Sequence, residues 1–195
     1  MTRTPLDPLA RKFAFVAIAL AIVATALYLI ALAGAWLAPA RGAEATPPRY
    51  ELHYSPAENL EAIDVATIDQ AGETLDVAAY VLTDVAVIEA MTNAAERGVK
   101  LRIFAEPNQA GHGGATALAA LARLIATPGV ELRYNKRTVW MHLKSYVVDG
   151  VTLRTGAANL SASGLKQQDN DLLLTDDPAL VKAFQTEFET LWARP

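Results

Sequence analysis

Met141–Asn159, with the sequence MHLKSYVVDGVTLRTGAAN, is the part of the chain from which its architecture follows most directly. Its apolar residues predict two strands, Leu143–Val148 and Val151–Thr155. Asp149-Gly150 separates them and is a strong signal for a tight turn, because both residue types tolerate a positive φ. The stretch therefore predicts an antiparallel β-hairpin.

Strand-like and helix-like patterns alternate on both sides of this hairpin. Further strands are predicted at 50–54, 74–82, 99–105, 130–134 and 171–175. Helices are predicted from Ser55-Pro56, where Glu58 completes a capping box, over 84–97, over 115–126, and from Asp177 to about Trp192. Residues 107–114 are too polar and glycine-rich for either element and predict a loop. Repeated βα units followed by strands predict an α/β domain, layered α/β/α, with a mixed sheet.

The first predicted strand of the hairpin carries residues that suit an anion site. His142, Lys144 and Tyr146 are spaced by two, so they share one face of a strand, with neighbouring side chains about 7 Å apart. Lysine supplies a positive charge for phosphate oxygens, and neutral histidine can attack phosphorus or transfer a proton. The spacing alone is also common by chance, and ordinary strand residues are the alternative interpretation.

Neighbouring residues fit the same site. Asp149 ends the strand, Gly156 allows a close backbone approach, and Asn159 offers amide donors. A basic neighbourhood is formed in sequence by Arg123, Arg133, Lys136 and Arg137.

An apolar segment precedes the α/β region. Phe13–Ala40 contains no charged residue and exceeds the roughly 20 residues that a helix needs to cross a bilayer. It predicts a retained transmembrane anchor over 13–40. A cleaved signal peptide is the alternative, because Ala38-Pro39-Ala40 and Ala43-Glu44-Ala45 both have the small-x-small form of a cleavage site.

The charges that flank this segment predict its orientation. Arg3, Arg11 and Lys12 outnumber Asp7 before it, so residues 1–12 are expected to stay in the cytoplasm. A linker at 41–49 would then lead to a domain at 50–195 outside the cytoplasmic membrane. If the segment is cleaved, the domain is secreted.

The composition supports this division of the chain into an apolar segment and an acidic domain. The chain has 195 residues, of which 52% are hydrophobic, a formal charge of −4 and no cysteine. A disulfide framework, a thiolate nucleophile and a cysteine zinc site are therefore excluded. Residues 46–195 contain 13 basic and 19 acidic residues, a formal charge of −6, which disfavours general polyanion binding.

The motifs taken together resemble those of the phospholipase D superfamily, H-x-K-x4-D followed by G-[ST]-x-N. His142-x-Lys144-x4-Asp149 is complete, and Gly156-Ala157-Ala158-Asn159 occupies the position of the second motif. The resemblance is strongest to small bacterial exported members with one motif, which include an endonuclease. It covers about Tyr50 to Trp192, and it implies a bacterial cell membrane as the location of an anchored chain.

The resemblance implies a two-step phosphodiester displacement without a metal or other cofactor. By this resemblance His142, Lys144 and Asp149 form the catalytic set, with His142 as nucleophile or acid. Lys144 and Asn159 would hold the phosphate oxygens, with Gly156 in support. Because the chemistry needs two such histidines and the chain has one motif, the resemblance implies a homodimer whose active site lies at the two-fold interface.

Two positions depart from the family pattern. Ala157 stands where a serine or threonine is usual, so one hydroxyl is missing. Asn170 stands where a glutamate commonly orients the histidine, and Asp169 or Asp171 could replace it after a shift of one residue. We therefore expect weakened catalysis.

Other polar and aromatic positions carry weaker signals. His112 is expected to be an incidental loop histidine. Trp140 and Met141 are expected to pack against the sheet, with an acyl-binding or base-stacking surface as the alternative. Asp76 and Asp84 are expected to cap the ends of elements.

Three functions stay open at this point. The first is a membrane-tethered phosphodiesterase acting on phospholipid headgroups, slightly favoured because the anchor would raise the local concentration of lipid substrate. The second is an endonuclease of the same fold acting on DNA or RNA outside the cytoplasm. The third is a non-catalytic, membrane-anchored binding module.

Overall fold

The computed structural model describes residues 8–37 and 46–194. The chain divides into two compact units, Met1–Thr46 and Pro47–Pro195.

Helix α1, Pro8–Leu37, occupies the predicted apolar segment. Its 30 residues span about 45 Å at the usual helical rise. Counted over the residues that are described in full, no helix is long and apolar enough to cross a membrane. The anchor over 13–40 therefore stays a prediction. Arg3, Asp7, Arg41 and both candidate cleavage sites lie outside the described residues.

The second unit is built on one seven-stranded mixed sheet, as the sequence predicts. In the order β1-β7-β6-β5-β2-β3-β4, strands β2, β3 and β4 are mutually parallel, and every other neighbouring pair is antiparallel. The strands are β1 (Tyr50–Ser55), β2 (Thr74–Ala79), β3 (Lys100–Ala105), β4 (Val130–Tyr134), β5 (Lys144–Val148), β6 (Thr152–Thr155) and β7 (Asn170–Thr175).

Helices cover both faces of this sheet, which confirms the α/β/α layering. Alternate strand residues point to opposite faces, so Val77 lies in the core under α2, α3 and α4, whereas Ala78 lies in the core under α6. The helices are α2 (Leu60–Asp69), α3 (Val85–Glu96), α4 (Gly114–Ala126), α5 (Ala162–Lys166) and α6 (Pro178–Trp192).

The β5–β6 hairpin forms as predicted. Asp149 and Gly150 both adopt positive φ, at 51° and 67°. Positive φ at both central residues is typical of a type I′ turn, whose twist matches that of two antiparallel strands. Asp, Asn and Gly adopt these φ values at low cost.

Two local predictions were wrong, and one short helix was missed. No helix begins at Ser55-Pro56: Asn59 caps α2 instead, and Glu58 accepts hydrogen bonds from the Tyr54 amide and the His53 ring. The predicted loop at 107–114 contains a 3₁₀ helix, Pro107–Gly113. Helix α5 was not predicted, because five residues are too few to show helical periodicity.

Candidate active site

The predicted site residues gather where several strands end together. Antiparallel pairing sets the start of β5 against the end of β2, with Lys144 opposite Ala79. It likewise sets the end of β6 beside the start of β7, with Thr155 opposite Leu173. One edge of the sheet therefore holds His142, Lys144 and the loop that follows β6. We call it the site edge.

His142 and Lys144 converge at this edge. Strand β5 begins only at Lys144, so His142 lies in the preceding segment, and the two side chains meet instead of running parallel. Lys144 Nζ lies 3.0 Å from His142 Nδ1 and 3.2 Å from Nε2, and it donates to the His142 carbonyl oxygen at 2.7 Å. The lysine is buried while the histidine is exposed. An accessible imidazole thus lies directly against a fixed cation.

The environment changes the titration of both groups. Burial, and secondarily the Arg154 guanidinium, lowers the pKa of Lys144 to about 8. Partial burial, and then the Lys144 charge, lowers the pKa of His142 below its ordinary value. At neutral pH the imidazole is therefore mostly neutral and the ammonium mostly charged, which is the combination that a nucleophile beside a phosphate-binding cation requires.

Tyr80, which directly follows β2, contacts both side chains. Its ring centroid lies 4.2 Å from that of His142, and Lys144 Nζ lies 4.7 Å from the centroid. Trp140 in turn stacks on the Tyr80 ring, with 6.1 Å between the two centroids. The sequence does not reveal this role, because only the pairing of β2 with β5 brings Tyr80 to the motif.

A buried ion pair lies beneath the site. Arg154 donates from Nε and Nη2 to the Asp64 carboxylate, at 2.9 and 3.0 Å, and both side chains are fully buried. Arg154 Nη1 also donates to the carbonyl oxygens of Lys144 and Ala158. The guanidinium thereby joins β5 to the loop after β6. Sequence analysis did not find this pair, since its partners are 90 residues apart.

Tyr146 belongs to this buried network and not to the site surface. It lies on the same face of β5 as Lys144, but its hydroxyl donates to Asp64 Oδ1 at 2.8 Å. Burial, and secondarily the Asp64 charge, holds the pKa of Tyr146 well above its usual range.

The loop after β6 presents the second motif. Gly156 has a φ of 146°, and a Cβ there would lie 2.5 Å from the Asp171 carbonyl oxygen, so glycine is required for the predicted close approach. Asn159 Oδ1 is buried and has no hydrogen-bond partner within the described residues. A buried polar atom without a partner is costly, and it marks a position where a ligand or water could bind.

The three acidic or amide candidates at the start of β7 have hydrogen-bond partners other than the histidine, or are exposed. Asp171 Oδ1 accepts from the Ala157 amide at 3.1 Å, and Asn170 Nδ2 donates to the Gly164 carbonyl at 2.8 Å. Asp169 is exposed. Within 46–194, no hydrogen bond joins any of them to His142. The replacement of the family's glutamate by a neighbouring aspartate stays a prediction.

Asp149 lies at the other end of β5. It is five positions from Lys144, which corresponds to about 16 Å along a strand. Its carboxylate accepts from the amides of Gly72, Glu73 and Thr74 at 2.8–2.9 Å. Burial raises the pKa of Asp149, but these three bonds together outweigh it and leave the pKa below the ordinary value. Asp149 therefore joins the β5–β6 turn to the α2–β2 turn, at the end of β5 away from His142.

The basic neighbourhood divides into two parts. Arg123 pairs with Glu96, and Arg133 donates to the Trp192 carbonyl oxygen, so neither guanidinium is free at the site edge. Lys136 and Arg137 are exposed and lie six and five positions before His142 in the chain.

The weaker signals had mixed outcomes. Asp84 caps α3 as predicted, whereas Asp76 lies within β2 and binds Arg102. Met141 packs in the core under α6 as predicted, but Trp140 is 64% exposed. His112 is exposed in the 3₁₀ helix. Across the described ranges, no three histidine, aspartate or glutamate side chains form a metal-binding group.

Comparison with known proteins agrees with this geometry. A family model described as "Cardiolipin synthase, PLD-like domain" matches residues 65–192. Mitochondrial cardiolipin hydrolase from Xenopus tropicalis is 28% identical over 123 residues, 63% of this chain and 56% of that protein. The same enzyme from Xenopus laevis is 38% identical over 68 residues, 35% of this chain and 32% of that protein. The chain thus spans about half or less of the length of these relatives.

Solved structures show the same fold. Nuc from Salmonella typhimurium, described as a phospholipase D family member, superposes with a TM-score of 0.68 at 24% identity, covering 75% of this chain and 95% of that chain. The resemblance inferred from the motifs is therefore confirmed. Because the matched segment covers most of the chain and includes His142, Lys144 and Asn159, the chain belongs to the family of cardiolipin synthase PLD-like domains.

Proposed function

We propose that this chain is a phospholipase D-type phosphodiesterase that works through a covalent phosphohistidine, with phospholipids as the favoured substrates. The observation that supports this most is the pairing of an exposed imidazole of lowered pKa with a buried ammonium 3.0 Å away. Such a pair combines a neutral nucleophile with a preorganised positive charge for phosphate oxygens.

In the first step a ring nitrogen of His142 attacks phosphorus. The bond from phosphorus to the leaving oxygen breaks, and that oxygen takes a proton from a second, protonated imidazole. Lys144 and the Asn159 amide stabilise the charge on the non-bridging oxygens. Arg154 keeps Lys144 in place through its backbone carbonyl.

In the second step water attacks the phosphohistidine. The second imidazole, now neutral, accepts the proton from water, and the phosphorus–nitrogen bond breaks with its electron pair returning to His142. The products are a phosphomonoester and the free alcohol, and both imidazoles regain their starting protonation states. No metal or cofactor takes part in either step.

A homodimer would supply the second imidazole. Only two other histidines exist in the chain. His53 is bound to Glu58, and His112 lies in the 3₁₀ helix after β3. We therefore assign the second role to His142 of another copy, facing the first across a two-fold axis.

Phospholipid is favoured over nucleic acid for two reasons. The domain at 46–195 carries a formal charge of −6, which repels a long polyanion, whereas α1 as a bilayer anchor would hold the site near lipid. The relatives named cardiolipin hydrolases favour the same choice. We place the domain outside the cytoplasm on a single-pass bacterial membrane protein, or secreted if the segment is cleaved.

An endonuclease of the same fold is the second candidate. It is favoured by the Tyr80–Trp140 stack beside His142, which is a suitable surface for a base. The Ala157 and Asn170 departures favour the third candidate, a non-catalytic binding module.

The test uses the full chain and two matched variants, His142→Ala and His112→Ala. Each is assayed in chelator against cardiolipin and phosphatidylcholine vesicles, DNA, RNA and a soluble diaryl phosphodiester. We expect lipid hydrolysis by the wild type and by His112→Ala but not by His142→Ala. Turnover of nucleic acid alone would replace the lipid proposal with the endonuclease, and equal inactivity of all three proteins would favour the binding module.

A further inference from the structure

The segment that leads into His142 exposes an unusual number of apolar side chains. We call residues 136–143 the entry loop. Within it Val139 is 68% exposed, Trp140 is 64% exposed and Leu143 is 37% exposed. Exposed apolar residues grouped beside a polar site mark a contact surface more often than a free one.

The entry loop is held rigidly at both ends. Buried Glu106 accepts from Asn135 Nδ2 at 2.9 Å and from the Met141 amide at 3.0 Å. Asn135 also donates to the Val139 carbonyl oxygen at 2.9 Å. Met141 packs in the core under α6, so the residues on either side of it point outward. The exposure is therefore built into the fold.

The entry loop also carries positive charge. Lys136 and Arg137 are exposed, and neither forms an ion pair within the described part of the chain. Acidic groups at the same edge include buried Glu106, which accepts from Asn135 and from the Met141 amide, Asp171, which accepts from the Ala157 amide, and exposed Asp169. In a domain with a formal charge of −6, two free cations beside apolar side chains are a local exception.

We propose that the entry loop is a membrane-contacting surface that binds anionic phospholipid bilayers and sets His142 at headgroup level. Val139, Trp140 and Leu143 enter the bilayer interface, while Lys136 and Arg137 contact lipid phosphates. This inference names the surface that presents substrate to the same site, so it rests on the proposed lipid hydrolysis.

A bilayer fits this surface better than a nucleic acid does. Valine and leucine offer no ring on which a base can stack, and one face of Trp140 is already occupied by Tyr80. Tryptophan beside aliphatic and basic residues is the composition found at membrane interfaces.

Because the chain lacks cysteine, one fluorophore can be placed at a chosen position. Val139→Cys carries it on the entry loop. Val151→Cys is the matched control, an equally small side chain that is 59% exposed in the turn at the opposite edge of the sheet. Each full-length labelled protein is mixed with excess vesicles of phosphatidylglycerol or phosphatidylcholine, some containing a lipid-borne quencher.

We expect a blue shift and quenching at position 139 with phosphatidylglycerol, and neither at position 151. In the Val139→Cys background, the double variant Lys136→Gln/Arg137→Gln should lower the partition coefficient onto phosphatidylglycerol vesicles, measured by titrating the same fluorescence change with lipid, by roughly fivefold for each charge removed. Its hydrolysis of a soluble diaryl phosphodiester should stay unchanged, because neither residue contacts His142.

A label at 139 that stays in water with phosphatidylglycerol vesicles overturns the proposal, as does an equal response at 151. A response to single-stranded DNA in place of vesicles would overturn it in favour of a nucleic-acid surface. Failure of the proposed hydrolysis can be told apart from failure of membrane binding, because a protein that hydrolyses no substrate still gives a fluorescence result with vesicles.

Discussion

Lys144 carries a charge that its surroundings make easy to lose. Lys144 is buried, with 7% of the residue exposed, and the positive charge of Arg154 acts on its ammonium. These two effects bring its pKa to about 8, within reach of ordinary assay conditions. In the proposed mechanism this cation holds phosphate oxygens, so we expect it to set the alkaline limit of activity.

We predict a bell-shaped pH profile of kcat/KM for a bis(p-nitrophenyl) phosphodiester, whose leaving group needs no proton. The acidic limb lies below the ordinary histidine pKa, because the pKa of His142 is lowered and protonation removes its lone pair. The alkaline limb lies near pH 8, where Lys144 loses its charge.

Lys144→Arg separates the two limbs, since a guanidinium stays charged throughout this range. The variant should keep the acidic limb, lose the alkaline one, and fall roughly tenfold in rate at neutral pH because it cannot repeat the lysine's contacts. An alkaline limb that survives in Lys144→Arg would show that another group is responsible.

In the hairpin, the motif residue Asp149 makes contacts that support the fold. Asp149 closes the β5–β6 turn with a positive φ and, through three backbone amides, fastens that turn to the start of β2. The whole strand β5 separates it from His142.

Asp149→Asn should therefore lower stability and leave kcat of the folded protein unchanged. Asparagine tolerates the positive φ, so the substitution removes only the negative charge that the three amides bind. The expected loss in the free energy of unfolding is about 1–3 kcal/mol at neutral pH. The pKa of Asp149 is depressed by folding, so this stabilisation is present above the ordinary aspartate pKa and is lost as the pH falls through the depressed value.

Urea unfolding of wild type and Asp149→Asn at pH 7 and pH 3 measures both parts of this prediction. The difference in unfolding free energy should narrow at the lower pH. A large loss of kcat in fully folded Asp149→Asn would instead return this residue to the catalytic set.

The Arg154–Asp64 pair connects helix α2, strand β5 and the loop after β6 beneath the site. Asp64→Asn would leave the fully buried guanidinium without its counter-charge, which typically costs about 3–5 kcal/mol. The matched control is Asp76→Asn, which breaks a bidentate pair with the less buried Arg102, for which about 1 kcal/mol is expected. If the two variants lose the same free energy of unfolding in urea, the buried pair contributes no more to stability than the less buried one, and the prediction is wrong.

These elements also show what the sequence could predict. Patterns that act over a few residues were sufficient for the hairpin, most strands, and the His142–Lys144 pair. Tyr80 and the Arg154–Asp64 pair were missed because strand order brings them to the site across long separations, and a single sequence does not state that order. The helix start was misplaced because Ser55-Pro56 and Asn59 both carry capping signals, and only packing selects between them.

At the scale of the whole molecule, the histidine count limits what one chain can do. The fold brings one H-x-K motif to the site edge, while His53 and His112 are placed on other elements. The proposed displacement needs a nucleophile and an acid, so a lone chain would stop short of turnover.

Mixed dimers test this requirement without disturbing the fold. Wild type and His142→Ala are co-expressed in equal amounts with different tags, and all dimers are purified together. We predict that this mixture retains about a quarter of wild-type activity per chain. Only dimers with two intact histidines turn over, and random pairing makes these about a quarter of the total. The same mixture with His112→Ala should keep full activity, since His112 is exposed in the 3₁₀ helix after β3 and forms no hydrogen bond with His142 or Lys144 within the described residues. Activity that falls only to about half, in proportion to the intact chains, would mean that each chain acts alone and that the second imidazole comes from elsewhere.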